Sequence, residues 1–415
     1  MRLGASFTMT NHSTTSRREF LRFVASSPLL GAAALSACDD DDDIRADAAL
    51  VQPLLSPEDA INVFDLERAA RETVPTSHFG YMATGVDDDR TLRANREGFS
   101  RFYLRPRRLV DVSSIDMSIE LFGERWETPI LLCPAGSQRA FHPEGEAAVA
   151  RAARTRDHLQ ILSTVTTTPV EEVAELRDRP IWYQLYPTAD WAVTRGLLSR
   201  AEGAGCPVVV LTVDLPVNSN RNTERRYAAA DDRDCVTCHT PTVEGYFSRK
   251  RMFDSVDVSN LTGLFAPSLT WDFVRRLKDT TDMRVVVKGI VTGEDAERCV
   301  EYGADGIIVS NHGGRAEESG HATILSLSEV VAAVQGRLPV IVDSGFRRGN
   351  DILKALALGA TAVGIGRPYL WGLGAFGQPG VERVLDILRG ELEIAMQLAG
   401  TPTIRDMDPS LLGRD

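Results

Sequence analysis

Eight short apolar runs, each followed by an amphipathic stretch, constrain this 415-residue chain more than any other feature. They are PILLCP (129–134), LQILS (159–163), IWYQLY (181–186), VVVLTV (208–213), VVVK (285–288), GIIVS (306–310), VIVDSG (340–345) and AVGIG (362–366). Runs this short, bounded by turn residues, read as buried strands. The stretches between them, GEDAERCVEYG and GNDILKALALG among them, carry a helical period and close on glycine. Alternating strands and helices imply parallel pairing, and eight units predict an α/β fold: a closed (β/α)8 TIM barrel. Residues 56–125 read as helices and a short hairpin covering the barrel's bottom or rim. Residues 216–270, after the fourth run, form a long polar insertion that is not assigned to regular structure.

The first 38 residues stand apart. TTSRREFLRFVASSPLLGAAALSAC pairs Arg17 and Arg18 with a small-residue apolar run that stops at Cys38. This pattern reads as a twin-arginine export signal, with Cys38 as a lipoprotein processing and lipidation site. The run is too short and too interrupted for a membrane span. Asp39–Asp43 and the residues up to 55 read as a solvated acidic tether, leaving 56–415 for the barrel. The expected location is the periplasmic face of the inner membrane, held by the lipid. A net charge of −12 argues against nucleic acid, whose phosphates require clustered positive charge.

In such a barrel the chemistry lies at the C-terminal strand ends. Here those ends carry Gln184 and Tyr186, Thr212 and Asp214, Lys288, Ser310, His312 with Arg315, Asp343, and Gly366 with Arg367. A lysine, a histidine and an aspartate on adjacent strands suit proton transfer more than structure. In SNHGGR an imidazole stands three residues from a guanidinium, a general base beside a carboxylate clamp. The two glycines are expected to let the backbone pass close to a flat ligand. Asp343 is expected to orient the His312 ring and stabilise its protonated form.

SNHGGR, VKGI, DSGFRRGNDILKALALGA and VGIGRP, with RPRRLVDVSSIDMS, HPEGE and LTVD, resemble the FMN-dependent 2-hydroxy acid dehydrogenases and oxidases. The likeness runs from about Ser56 to Met407. It implies oxidation of an L-2-hydroxy acid to the 2-oxo acid, with His312 as base and flavin N5 accepting a carbanion or hydride. It implies that Arg221 and Arg315 bind the substrate carboxylate, and that Tyr81 and Tyr186 hydrogen-bond the substrate. Lys288 would lie beside the N1–C2 edge of the flavin. Ser163, Gln184 and Thr212 would bond the ring, with Ala135 and Gly136 facing it. Gly345, Arg347, Gly366 and Arg367 would hold the phosphate, and Ser310 and Asp343 would belong to the same cofactor-binding set. A homotetramer is also implied.

The chain departs from the family at three places. Val165 stands where several members have a bulky aromatic, Asn218 where they have an apolar pocket residue, and Gly136 where many have alanine. These changes point to a larger 2-hydroxy acid than glycolate or lactate.

In the insertion, Cys235, Cys238 and His239 form Cys-x-x-Cys-His, which reads as a covalent haem c attachment site, a local disulfide or free thiols, or a small metal site. Cys133, Cys206 and Cys299 read as buried thiols. Export favours a quinone or cytochrome as electron acceptor, with dioxygen as the alternative. Two other functions remain: a ligand-binding barrel lipoprotein without turnover, and an aldolase using Lys288 as a Schiff base.

Overall fold

All eight runs are strands of a closed parallel barrel in the computed structural model, which describes residues 53–233 and 242–414. The export segment, Cys38, Cys235, Cys238 and His239 lie outside the described residues. The unit from Leu54 to Asp415 carries the fold. Three short strands precede the barrel: β1 (Phe102–Leu104), β2 (Ile119–Leu121) and β3 (Glu124–Trp126). The barrel strands are β4 (Ile130–Leu132), β5 (Leu159–Ser163), β6 (Trp182–Leu185), β7 (Val208–Thr212), β8 (Arg284–Ile290), β9 (Gly306–Val309), β10 (Val340–Val342) and β11 (Ala362–Ile365). Strand β12 (Leu412–Arg414) pairs antiparallel with β1. Around the barrel, β4 to β11 follow one another in sequence order and β11 closes onto β4.

The period of two along each strand sorts the side chains. Leu131, Ile161, Val210, Val286, Ile308 and Ile341 fill the barrel interior. Their neighbours Leu132, Leu162, Leu211, Val287, Ile307 and Val342 belong to the larger core outside. Burying aliphatics of this size is worth about 2 kcal/mol each, so these layers hold the barrel together. Two residues above the interior layer, on the same face, come Cys133, Ser163, Thr212, Lys288, Ser310 and Asp343, and Gln184 stands two above Trp182. The top of the barrel is therefore polar, and its stability rests on the layers below.

Helices follow the strands as expected. Gly293–Glu301 is capped by the Thr292 side chain accepting from the Asp295 N–H, and Gly303 beyond its end has φ +78°. The last helix, Arg367–Ala399, is two helices joined at Gly377. The β2–β3 hairpin puts Leu121 and Trp126 into the cluster that fills the barrel's lower interior. Helices Thr76–Ala83 and Arg90–Glu97 instead reach the mouth, so the N-terminal cover serves both ends.

The insertion corrects the sequence reading, because it contains helices Asn222–Ala229 and Val243–Phe247. The first is held by tertiary contact: Thr223 Oγ1 donates to Asp89 at 2.8 Å and Asn220 Nδ2 to Asp87 at 2.6 Å. Local periodicity is weak there, and partners 130 residues away decide the structure. Among the described residues no helix is long and apolar enough to cross a membrane.

Candidate active site

The polar layer opens into a cleft with about 830 Å³ of empty space, open solvent included. It is lined by Cys133, Ala135, Gly136, Ser163, Tyr186, Lys288, His312, Arg315, Asp343, Gly345, Arg347, Gly366 and Arg367, with Tyr81 over it. Strands β4 to β6 and β8 to β11 deliver these residues, with helix Thr76–Ala83. Arg221 lies 5.8 Å from the centroid of the Tyr81 ring and 3.5 Å from Glu224. Asn218 is exposed and does not line the cavity, so its expected place beside the substrate is corrected.

His312 is held from three sides. Its Nδ1 lies 2.8 Å from Asp214 Oδ1, its Nε2 lies 3.2 Å from the Tyr186 hydroxyl, and its backbone N–H donates to Ser310 Oγ. A carboxylate only accepts here, so Nδ1 carries the hydrogen and Nε2 keeps its lone pair. Burial holds the Tyr186 phenol well above its ordinary pKa, so it stays protonated and donates to Nε2. Burial also lowers the pKa of His312, although Asp214 pulls it back up in part. The ring is thus neutral near neutral pH, and the carboxylate beside it waits for a proton to arrive.

Asp214 takes the role that the sequence reading gave to Asp343. Asp343 Oδ2 lies 3.6 Å from Lys288 Nζ, and its Oδ1 accepts from Ser344 Oγ at 2.7 Å. The cause is the bulge in β8 at Gly289, where φ is +111° and a Cβ would lie 2.7 Å from that of Asp214. With no side chain at 289, Asp214 packs inward beneath His312. Strand parity carried the signal, since Asp214 lies two residues beyond the inward Thr212.

Lys288 donates to Ser310 Oγ at 2.8 Å and lies 3.5 Å from Asp214 Oδ2. Burial would lower its pKa, but Asp343 and Asp214 outweigh burial and hold the ammonium above its ordinary range. For Asp214, burial raises the pKa, yet His312 and Lys288 win and keep it low. A lysine this firmly charged is no Schiff-base nucleophile, which disfavours the aldolase reading.

The SNHGGR turn has its own reason for two glycines. His312, Gly313 and Gly314 all have left-handed φ, +59°, +69° and +74°. A Cβ on Gly313 would lie 2.6 Å from Arg367 Nη1, and one on Gly314 2.6 Å from Leu92 N. The glycines make room for an arginine and a helix, and Gly313 also lines the cavity.

Arg367, at the cavity wall, also braces the backbone around it. Its guanidinium donates to the carbonyls of Met82, Gly313 and Thr84 at 2.5, 2.8 and 2.9 Å, tying the mouth together. Burial, with Arg315 and Arg347 nearby, pushes its pKa down to about 9. Arg347 is 7% exposed and lies over the Trp371 ring. Cations crowded at one end of a cavity favour an anion there.

FMN fits this cavity by its own residues. The Gln184 Oε1 accepts from Ser163 Oγ at 3.2 Å and Thr164 N at 3.3 Å, which turns Nε2 away, buried and without a partner among the described residues. Thr212 Oγ1 is likewise buried without a partner among the described residues. Buried polar atoms left so call for a polar ligand. Gly366 opens the end near Arg347, since a Cβ there would meet nothing within 4 Å. Lys288, Gln184 and Thr212 would meet the ring, and Arg347 with Gly345 and Gly366 the phosphate.

Cys133, Cys206 and Cys299 are buried free thiols. Among the described residues no cluster of three His, Cys, Asp or Glu is placed to hold a metal ion.

Comparison with known proteins agrees with the site. Residues 70–414 match the family model for FMN-dependent dehydrogenase. An L-lactate oxidase of Nostoc sp. is 41% identical over 356 residues, covering 85% of this chain and 98% of the relative. A 4-hydroxymandelate oxidase of Amycolatopsis orientalis is 41% identical over 344 residues, covering 83% and 96%. The crystal structure of mandelate oxidase with (S)-2-phenylpropionate superimposes with a TM-score of 0.76 at 39% identity, covering 86% of this chain and 98% of that one.

Proposed function

The chain belongs to the family of FMN-dependent dehydrogenases, and from that premise we propose that it oxidises an L-2-hydroxy acid to the 2-oxo acid and passes the electrons to dioxygen. The line Asp214–His312–Tyr186 beside Lys288, at one cavity mouth, carries the reading. FMN, when bound, supplies the two-electron acceptor.

The side chains do the rest. Arg315 and Arg221, with Tyr81, hold the substrate carboxylate and fix which hydrogen faces His312. Nε2 takes one proton from the substrate, and Asp214 stabilises the imidazolium that results. Tyr186 turns its hydroxyl from Nε2 to the substrate oxygen. The ammonium of Lys288 favours negative charge at the neighbouring edge of the cavity.

The named relatives support dioxygen, because they are oxidases. The export pattern of residues 1–38 supports a second reading, a quinone or cytochrome acceptor at the periplasmic membrane face. Peroxide formed one-to-one with 2-oxo acid supports the first reading. Turnover only with an added quinone under nitrogen supports the second. Release of the protein from membranes by Cys38→Ala tests the lipid anchor. The family and relatives support FMN alone, and nothing in them supports haem at Cys235, Cys238 and His239. The base is tested by His312→Gln, expected to load FMN normally but to lower its anaerobic reduction rate by at least about 10²-fold. An unchanged rate rejects the assignment.

A further inference from the structure

We propose that Glu224 is a positioning residue that sets the charge of the carboxylate clamp and so matches the site to a substrate with a single carboxylate. This rests on the reading of Arg221 and Arg315 as that clamp. Glu224 Oε2 accepts from Arg315 Nη2 at 2.9 Å and lies 3.5 Å from Arg221 Nη1. One carboxylate therefore joins both guanidiniums. Arg315 is buried, its Nη1 donates to the carbonyls of Tyr81 and Thr84, and its Cζ lies 4.2 Å from the Tyr81 ring centroid. Its Nε makes no hydrogen bond among the described residues, so the clamp keeps a donor for an incoming anion.

Glu224 is held where it is. It lies in the first turn of helix Asn222–Ala229, which packs on helix Thr76–Ala83 so tightly that a Cβ on Gly80 would be 2.3 Å from that of Tyr227. Two like charges side by side in a partly buried site repel, and one glutamate leaves a net charge of +1 across the pair. A monocarboxylate completes the neutralisation. A second carboxylate exceeds the charge that the pair leaves to be neutralised, and Glu224 repels it.

The test is a spectral titration of the FMN-loaded protein with pyruvate, a monoanion, and oxalate, a dianion. Glu224→Gln is expected to raise the ratio of oxalate to pyruvate affinity at least about tenfold, about 1.4 kcal/mol. Glu224→Asp keeps the charge and is expected to leave the ratio within about threefold of the parent. FMN stoichiometry and far-ultraviolet circular dichroism serve as fold controls for all three proteins. An unchanged ratio in Glu224→Gln, with both anions bound, overturns the role of Glu224 and leaves the clamp intact. Failure of the FMN-loaded parent to bind either anion overturns the clamp as well.

Discussion

Two buried carboxylates at the barrel mouth look interchangeable by type, and their neighbours separate them. Asp214 meets the imidazole and Asp343 meets the ammonium. Asp214→Asn is therefore predicted to load FMN yet slow its reduction by about 10²-fold or more, since the imidazolium loses its partner. Asp343→Asn is predicted to change the flavin potential through Lys288 and to slow reduction less than Asp214→Asn does. Stopped-flow reduction and a dye-equilibrated potential distinguish the two, and the opposite pattern would return the His312 partnership to Asp343.

A second histidine ties stability to pH. His158 is fully buried, its Nδ1 donates to the Ile130 carbonyl, and Nε2 has no partner among the described residues. Burial pushes its pKa down to about 4. The unfolded chain binds that proton near pH 6.5, so its contribution is complete above that pH and is lost as the pH falls towards 4, by up to roughly 3 kcal/mol. His158→Gln is expected to flatten this acid loss in urea midpoints measured at pH 7 and 4.5. A mutant with the parent's slope would assign the loss to other groups.

At the scale of elements, the strand ends were legible and the loops were not. The eight apolar runs showed where side chains turn inward, and parity placed Lys288, Thr212 and Asp343 in one layer. It equally placed Asp214, whose role was missed because a residue on one strand does not show which neighbour reaches it. Helix Asn222–Ala229 escaped because its partners, Asp87 and Asp89, belong to a distant segment. The departures at 136 and 165 turn out to be coupled: a Cβ on Gly136 would lie 2.4 Å from Val165 Cγ2. A branched valine cannot swing that methyl away cheaply. Gly136→Ala is predicted to lower thermal stability and FMN occupancy, and Gly136→Ala with Val165→Ala to restore both. Two effects that simply add would show the pair to be independent.

From Leu54 onwards the molecule is an aliphatic barrel topped by a charged site. A chain beginning at Leu54 is predicted to fold and bind FMN one-to-one, because the core and every proposed FMN ligand lie beyond that point. Loss of FMN binding in that shortened chain would place part of the site in the first 53 residues. The most direct measurement is anaerobic mixing of the FMN-loaded protein with a panel of L-2-hydroxy acids, following absorbance and product. Bleaching by at least one of them, with one 2-oxo acid formed per FMN, is the predicted result. FMN bound one-to-one that no 2-hydroxy acid bleaches would contradict the account.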